Sequence, residues 1–551
     1  VGRHGDIRSL YDIRTDRFEG GNLFNQDLPE GLVSTTDCAN SDYFVDENIS
    51  QKDTFNKLNV EASMKLSLMA GLIKVEGSAK YLNQTKTNSR TVRVTFMFNV
   101  RTKQQRLQVS RAELYKYFSP DALENPNATH CVVGITWGAH IAATFEENLA
   151  TSEAAEELQG HLAASLKQVA INITGQAKID NIDRTNSKFH SLKISFSGDV
   201  LIEDVPNTVE DVFNIFKKVP NMLKQLNDGK GQQLEFELYP LKRMAEIFKH
   251  DLRIERIMKE VTNHIINRIE NIFEQIIQGK RMMNDFLAKI EPWKGWIPPD
   301  WVEVIHDKQS ALVGEELRTQ RQLATLLEQI RGGQADENEM IQLLDNFNDQ
   351  NPCSLMCIKR FLKDNARIDA KIASLSQFDR RPKEKNQPKG PNPDLLPKEF
   401  KSIHEFFLNN YHKDVYLFHI SNDWEKQDQA NWYKQLRFFY SLQKSVETIS
   451  ESKKPVFLVI DHDLHTHLDK KPNTCVIYHG NQGTIKSEDY YHTLCTTLSP
   501  EQIRAIRTEN KFTTLTNKDV ETWHKKFIDA HPNGELNQDK FTAEFQKIHP
   551  E

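Results

Sequence analysis

The chain has 551 residues, which suffices for roughly three or four domains, each with a core of its own. Its formal charge is −6 and its Lys and Arg residues are scattered, so it lacks the basic patch of a nucleic-acid-binding protein, and we expect no nucleic acid as a partner. No apolar run approaches the roughly 18 residues of a transmembrane helix and no signal peptide is visible, so we expect a soluble protein that is cytoplasmic or secreted by a non-classical route.

One sequence pattern occurs twice in the first 200 residues. "GSAKYLNQTKTNSR" runs from Gly77 to Arg90, and "GQAKIDNIDRTNSK" runs from Gly175 to Lys188. Both read G-x-A-K, then five variable positions, then a basic residue, T-N-S and another basic residue. This agreement indicates an internally repeated structural unit.

Apolar and polar residues alternate on both sides of each copy. In "LNVEASMKLSLMAGLI" and in the return segment "TVRVTFMFNV" the period is two, which is typical of strands, and "NQTKTNS" between them has turn chemistry. We therefore predict two long β-hairpins, whose outgoing arms are about twice as long as an ordinary strand. The candidate apolar hairpin positions are Leu58, Val60, Met64, Leu66, Leu68, Leu72, Val92, Val94, Phe96 and Phe98 in the first unit, and Leu162, Leu166, Val169, Ile171, Ile173, Leu192, Ile194 and Phe196 in the second.

Such hairpins suit two kinds of protein. A strand that crosses a bilayer needs about 9–11 residues of this alternation, with the apolar face toward lipid. The many small residues also allow the same segments to pack as helices before insertion. Two long hairpins of a soluble antiparallel sheet would alternate in the same way, so the pattern alone leaves both interpretations open.

Three segments, "LYDIRTDRF", "LNVEASMKLSLMAGLIKVEGSAKYLN" and "ATHCVVGITWGAHIAATFE", resemble the stonustoxin family of pore-forming proteins. The N-terminal domain of that family belongs to the perforin and cholesterol-dependent-cytolysin superfamily, in which a bent central sheet carries two clusters that unfurl into membrane-spanning hairpins. The resemblance implies a lipid membrane and a second copy or a homologous subunit as partners.

Two glycines lie in the segment that is similar to the perforin-type signature, "THCVVGITWGAH". Gly134 and Gly138 are candidates for a bend in the sheet or for close backbone approach, and simple strand packing under Trp137 explains them equally well. The segment departs from the fuller family pattern because no Gly-Gly follows.

Long amphipathic helices are predicted from about Pro240 to about Leu375, with a helix end at Gly332 and Gly333. The family resemblance implies a bundle of the focal-adhesion-targeting shape over residues 241–375. A linker rich in Pro, Lys and Asn follows at 376–398.

Residues 399–497 alternate between strand and helix patterns, as in a small α/β domain. The family carries a thioredoxin-like domain here, and we expect it to lack redox activity because Cys475 has no cysteine at the required spacing. The six scattered cysteines predict no disulfide scaffold.

"DHDLHTH" is a weak candidate metal site, for which a solvated loop is the simpler interpretation; its residues are Asp461, His462, Asp463, His465 and His467.

The segment 498–551 resembles the first EF-hand of the neuronal calcium sensors, whose loop is degenerate. Aligning Gly534 with the turn glycine of the loop puts His531 third and Lys540 twelfth, where calcium requires an oxygen ligand and a bidentate Glu. We therefore expect no calcium there and no cofactor elsewhere.

These observations together predict an α+β multidomain protein. Its parts are a perforin/cytolysin-like bent antiparallel sheet with two duplicated hairpin units (1–240), a helical bundle (241–375), a linker (376–398), a thioredoxin-like α/β domain (399–497) and an EF-hand-like helical tail (498–551). The predicted function is to oligomerise on membranes and insert two β-hairpins per subunit, without enzymatic activity. The alternatives are a non-lytic cytoplasmic scaffold that keeps the perforin-like fold and, more distantly, a metal-dependent enzyme that uses the Asp/His cluster.

Overall fold

The computed structural model describes most of the chain, with gaps. The described residues are 4–47, 50–58, 60–73, 85–149, 152–174, 191–251, 254, 256–347, 350–377, 402–420, 429–446, 454–461, 475–491 and 516–530. The chain divides into two compact units. The first comprises Val1–Ala288, Ile305–Asp364 and Glu384–Pro388, and the second comprises Lys289–Val304, Asn365–Lys383 and Lys389–Glu551.

A seven-stranded antiparallel sheet is the centre of the first unit. Its order is β2-β1-β5-β4-β3, and β6 and β7 pair with successive stretches of β5 on the side away from β4. The strands are β1 Ser9–Asp12, β2 Arg17–Asn22, β3 Val33–Asp46, β4 Thr91–Leu107, β5 His130–Asn148, β6 Lys193–Gly198 and β7 Gln232–Pro240.

Helices cover both faces of this sheet, because its long strands are apolar on both sides. One face of β4 and β5, which includes Phe96 and Ile141, packs against α3 and α4, and the other, which includes Met97 and Ala142, packs against α2 and later helices. These helices are α1 Gln51–Lys57, α2 Ala62–Met69, α3 Ser152–Thr174, α4 Val209–Lys224 and α5 Leu241–Ile247.

The segment predicted as a bundle is helical in the structure. The period-3.6 pattern produces α6 Asn263–Ile290, α7 Pro299–Arg331, α8 Glu337–Asp345, α9 Leu355–Asp364 and α10 Ala366–Gln377. α7 ends at Arg331, immediately before Gly332 and Gly333, and Gly333 has a positive φ of 72°. This confirms the predicted helix end, since glycine adopts that conformation without a steric penalty.

The second unit contains a small four-stranded sheet of order β11-β10-β8-β9. β8 and β9 are parallel, and the order strand, helix α12, strand agrees with the alternation of patterns in the sequence. β10 is antiparallel to both β8 and β11. The elements are α11 Ile403–Asn409, β8 Val415–Ile420, α12 Gln429–Ser445, β9 Val456–Asp461, β10 Val476–Asn481, β11 Thr484–Ser487 and α13 Asn517–Ala530.

Two further findings concern the described residues only. No helix among them is both long and apolar enough to cross a membrane. No disulfide joins the described cysteines, of which Cys131, Cys353 and Cys475 are buried.

Candidate functional site

The two predicted hairpin units connect neighbouring strands at one end of the large sheet. α1 and α2, which we name the first helical cluster, lie between β3 and β4, and α3 lies between β5 and β6. The strand ends that enter and leave these helices adjoin one another. Their registers pair Asp46 with Thr95, Thr91 with Asn148 and Glu146 with Lys193.

The outgoing arms are α-helical in the structure, where the alternation predicts strands. In α3 the buried residues Leu158, Leu162 and Leu166 recur every four positions, which is helical spacing that a period-two interpretation overlooks. α2 has buried Leu66, Ser67, Leu68 and Met69 in succession, because it is covered on more than one side. The return arms are strands as predicted, namely β4 and β6.

Most of the candidate hairpin residues are enclosed in two apolar cores. Only Met64 reaches 36% exposure among those described. Leu66, Leu68, Val92, Val94, Phe96, Phe98, Leu162, Leu166 and Leu192 are buried, and Leu58, Val60, Leu72, Ile194 and Phe196 are half-buried. The side chains of Val169, Ile171 and Ile173, the first repeat up to Gln84 and the second repeat lie outside the described residues.

The first helical cluster lies in a core shared with the sheet and with the bundle helices of the same unit. Phe55 and Leu66 are fully or almost fully buried there, next to Met97 of β4. The bundle contributes isoleucines and phenylalanine from α6, leucines from α7, and Met340 with Leu344 from α8. Burying a side chain of this size stabilises the fold by about 1.5–3 kcal/mol.

A carboxylate on α6 ties both helices of the first cluster to the bundle. Lys52 Nζ in α1 lies 2.9 Å from Glu270 Oε2, and Lys65 Nζ in α2 lies 3.5 Å from Glu270 Oε1. The Glu270 side chain is 3% exposed. Beside it, Ser50 Oγ donates to Glu274 Oε1 at 2.9 Å, and the backbone N–H of Lys52 donates to the same oxygen at 3.1 Å.

A buried guanidinium at the end of α7 holds α2 from another side. Arg331 Nη1 donates to Asp16 Oδ2 at 2.8 Å and to Ser67 Oγ at 3.0 Å, and Nη2 donates to the carbonyl of Ser63 at 3.0 Å. Tyr11 donates to the other oxygen of Asp16 at 3.0 Å. The Arg331 and Asp16 side chains are 7% and 8% exposed, so the ion pair is shielded from solvent.

The segment that leads from the first cluster into β4 also contacts α6. Asn284 donates its amide to the carbonyl of Thr87 at 2.8 Å, and the N–H of Ser89 donates to Asp285 Oδ1 at 2.7 Å. Thr87 and Ser89 belong to the T-N-S part of the first repeat. α6 therefore contacts the first hairpin unit both at its outgoing arm and at the start of its return strand.

The second outgoing arm packs in a different core. The described apolar side chains of α3 lie with Val92, Val94 and the rest of that face of the sheet, and with α4. α4 carries Phe213 and Phe216, which form an aromatic group with Phe96 at centroid distances of 5.4 and 5.2 Å. Its N-terminus is closed by a capping box between Thr208 and Asp211, and these hydrogen bonds lower the pKa of the Asp211 carboxyl.

Gly138 lies where the sheet changes partners. β5 pairs with β7 up to Gly138 and with β6 from Ile141, and the register with β4 shifts between Arg101 and Lys103. A Cβ on Gly138 would lie 1.8 Å from the carbonyl oxygen of Val100, so the two backbones approach closely there, which is one of the alternatives that the sequence leaves open. At Gly134 a Cβ would first meet the flexible end of Glu237 at 2.7 Å.

Gly231 is a second glycine at the close approach around Gly138, and no sequence motif identifies it. It has a positive φ of 83°, and a Cβ there would lie 2.3 Å from the carbonyl oxygen of Gly138. The family pattern has adjacent glycines, whereas here two glycines 93 positions apart in the sequence meet across strands. No local pattern signals such a pair, because its members contact each other only in the folded sheet.

His140 lies two residues beyond the close approach. Its Nδ1 is 2.7 Å from Asn99 Oδ1, and its backbone N–H donates to Asp199 Oδ2 at 2.8 Å. Burial lowers the pKa of the imidazole to about 4, although the Asp199 carboxylate opposes this shift. Asp199 also donates its own N–H to the carbonyl of His140, which fixes the end of β6 against β5.

Little in the described residues indicates a metal site. No group of His, Cys, Asp and Glu with ligand geometry occurs among them. Asp461 ends β9, and His462, Asp463, His465 and His467 lie outside the described residues, as do the EF-hand-like loop positions His531, Gly534 and Lys540. The described part of that tail is α13, which includes Asp529.

Comparison with known families identifies two regions of the chain. Residues 1–255 match the model described as "SNTX, MACPF/CDC-like domain", and residues 394–494 match a domain of unknown function, DUF7656. The first match confirms the predicted family resemblance of the sheet domain. The matched family of pore-forming toxins is non-enzymatic, in agreement with the prediction that this protein is not an enzyme.

Curated relatives and solved structures agree with this assignment. The chain is 26% identical over 349 residues to cytolytic toxin-alpha of Scorpaena plumieri, covering 63% of this chain and 48% of the toxin. It is 26% identical over 365 residues to stonustoxin subunit beta of Synanceia horrida, covering 66% and 50%. The chain thus spans about half the length of the curated relatives it matches. The solved stonustoxin structure has 18% sequence identity and a TM-score of 0.57, covers 89% of this chain and 68% of its own, and shows that the fold is stonustoxin-like.

Proposed function

We propose, on the premise that residues 1–255 carry a stonustoxin-type MACPF/CDC-like domain, that this protein oligomerises on membranes and inserts two β-hairpins per subunit. The hairpins form from the first helical cluster with β4 and from α3 with β6. The protein reaches the membrane from a soluble state, and its neighbour in the assembly is a second copy or a homologous subunit. Relatives named as alpha and beta subunits of one toxin support either arrangement.

One observation carries the proposal: both helical units connect strands at the same end of one antiparallel sheet, in adjoining register. β3 leads into the first cluster and β4 out of it, while β5 leads into α3 and β6 out of it. If the helices convert to extended strands, the pairs β3/β4 and β5/β6 lengthen from that end of the sheet with no change in the order of the strands. The four extended strands then lie side by side, as a barrel wall requires.

Burial of the same apolar residues in lipid drives the change. Val92, Val94, Phe96 and Phe98 form one face of β4 and are now covered by α3 and α4. In a membrane-spanning strand this face contacts lipid and the alternate residues face the lumen. Backbone groups in the hydrocarbon region are satisfied only when neighbouring subunits pair and the barrel closes.

The domain division beyond residue 255 remains part of the proposal. We propose the boundaries given above, with a redox-inactive thioredoxin-like fold at 399–497 and a non-binding EF-hand-like tail at 498–551. The four-stranded sheet with its parallel β8 and β9 is compatible with the former. Limited proteolysis within 376–398 tests the linker between the helical bundle (241–375) and the thioredoxin-like domain (399–497).

A reversible crosslink of the first cluster tests the pore-forming function. Ser50, the N-cap of α1, and Glu274 of α6 are half-buried and hydrogen-bonded at 2.9 Å. Ser50→Cys/Glu274→Cys, in a background with Cys38, Cys357 and Cys495 replaced by serine, is joined by a bismaleimide that contains a cleavable disulfide. We expect dye release from liposomes by the uncrosslinked protein, its loss on crosslinking and its return on reduction.

The control carries the same reagent between two bundle helices. Lys280 and Glu316 form a 2.7 Å ion pair between α6 and α7, so Lys280→Cys/Glu316→Cys ties the bundle without tying the cluster. Its crosslinking should leave release intact. No release by any form of the protein, with any lipid and with added cell-membrane extract, would favour the non-lytic scaffold instead.

A further inference from the structure

We propose that the bundle helices α6, α7 and α8 clamp the first helical cluster, so that the second hairpin unit is released before the first. The order of release rests on the proposed function. The clamp itself is a property of the folded chain and is tested without a membrane.

The ionic part of the clamp centres on Glu270. Its two carboxylate oxygens face Lys52 of α1 and Lys65 of α2, so one buried group on α6 restrains both helices of the cluster. Removing a cluster helix from α6 would leave this carboxylate without its cations in a site that is 3% exposed. An uncompensated buried charge is strongly unfavourable, so the cluster and α6 must separate together with rehydration of Glu270.

Further contacts distribute the restraint along the first unit. Arg331 of α7 binds Ser67 and the carbonyl of Ser63 in α2, and Asn284 and Asp285 of α6 bind the backbone just before β4. The shared apolar core extends the contact to α8. Neither arm of the first hairpin can extend while these contacts hold.

The second outgoing arm depends on different elements. The described apolar residues of α3 lie in the core formed with the sheet and α4. Its polar contacts include Gln159, which accepts from the N–H of Arg93, and Lys167, whose Nζ lies 3.6 Å from Glu47. Lys167 is 59% exposed, so that ion pair contributes little. Extension of α3 therefore requires loss of its packing on the sheet and on α4, and none of these contacts of its described residues is made with α6.

Hydrogen exchange in solution tests the clamp. Glu270→Gln removes the charge and keeps the shape, and we expect amide exchange in α2 to increase about tenfold, since a shielded ion pair is lost. Exchange in α3 should stay unchanged. The matched control is Glu316→Gln, which removes an ion pair within the bundle that does not touch the cluster. Equal exchange of α2 in the wild type and in Glu270→Gln would overturn the clamp.

Environment-sensitive probes test the order of release. The Ser50→Cys/Glu274→Cys crosslinked protein carries a fluorophore, attached by orthogonal chemistry, at either Ala164 of α3 or Met64 of α2. Both residues are exposed, and each lies in the lipid-facing phase of its predicted strand. On vesicles of phosphatidylcholine, phosphatidylserine and cholesterol, we expect the probe at 164 to enter an apolar environment and the probe at 64 to remain in a polar one. After reduction of the crosslink, both should enter the apolar environment.

The outcomes separate the two proposals. If neither probe moves in the crosslinked protein but both move after reduction, the hairpins are released together and the proposed order is wrong. If both move in the crosslinked protein, α6 does not restrain the cluster and the clamp is wrong. If neither moves in any form, the pore-forming function fails, and the hydrogen-exchange result still decides whether the clamp exists.

Discussion

Replacing Arg331 by methionine should destabilise the first unit by about 3–5 kcal/mol, the usual cost of breaking a buried ion pair by removing one partner. The guanidinium makes a 2.8 Å contact with Asp16 and two 3.0 Å contacts with α2, and both charged side chains are less than 10% exposed. Without it, the Tyr11 and Ser67 hydroxyls remain as donors to the Asp16 carboxylate, but no positive charge from α7 compensates it. This loss is a large fraction of the 5–15 kcal/mol that stabilises a typical domain.

A double-mutant cycle isolates the ionic part of this effect. Asp16→Leu combined with Arg331→Met replaces both charges by apolar groups, so no buried charge remains unpaired, and we expect the double variant to recover about half or more of the lost stability. The assay is urea-induced unfolding followed by hydrogen exchange of α2, which reports the first unit selectively. The control is Arg318→Met, since Arg318 is 64% exposed and its pair with Glu315 should contribute less than about 1 kcal/mol. A loss of under 1 kcal/mol for Arg331→Met, or a double variant as unstable as the sum of its single variants, would refute the reasoning.

Three further predictions concern the sheet and its covering helices. Gly138→Ala should destabilise the protein by more than about 3 kcal/mol in thermal unfolding, because its Cβ would lie 1.8 Å from the Val100 carbonyl oxygen. Gly160→Ala in α3 is the control: position 160 has open space around it, so this variant should stabilise the protein by about 0.5–1 kcal/mol. Phe216→Ala should cost about 3–5 kcal/mol, since it removes a fully buried ring from the aromatic group; a loss below 1 kcal/mol in denaturant titration would contradict that packing. The pKa of His140 is about 4 in the folded state, below its ordinary 6.5, so on acidification the unfolded chain binds a proton before the folded chain does. The free energy of unfolding should therefore fall by about 1.4 kcal/mol per pH unit as the pH is lowered from 6.5 to 4. His140→Asn should flatten that slope, and an unchanged slope would disprove the assignment.

The return strands could be predicted from the sequence, and the outgoing arms could not. β4 alternates between two packed faces, so its period of two survives in the structure, with Phe96 and Met97 in different cores. In α2 the second half is buried in succession from Leu66 to Met69, and a stretch that is covered on more than one side has no clear helical period. In α3 the signal was present, because Leu158, Leu162 and Leu166 are spaced by four, but small residues between them mimic alternation.

Contacts distant in sequence explain the rest of the difference. Gly138 could be singled out because its family position is recognisable, whereas Gly231 contacts it only through the fold. Glu270 and Arg331 each look like any other charge on an amphipathic helix until the first cluster is placed beside them. Such a charged residue restrains a neighbouring helix only when it is buried against that helix, and its burial depends on which helices pack together in the fold.

The clamp also has a consequence for the synthesis of the protein. Ser67 and Arg331 are 264 residues apart, and at about 5–20 residues per second the ribosome takes about 13–50 s to translate that distance. During this interval the apolar side of α2 is complete but α6 and α7 are not. A nascent chain that meets a membrane or another nascent chain during this interval does not yet have the contacts of α6 and α7 with the first helical cluster. Chaperone occupancy should therefore be greatest on ribosomes stalled between the codons for β4 and α7.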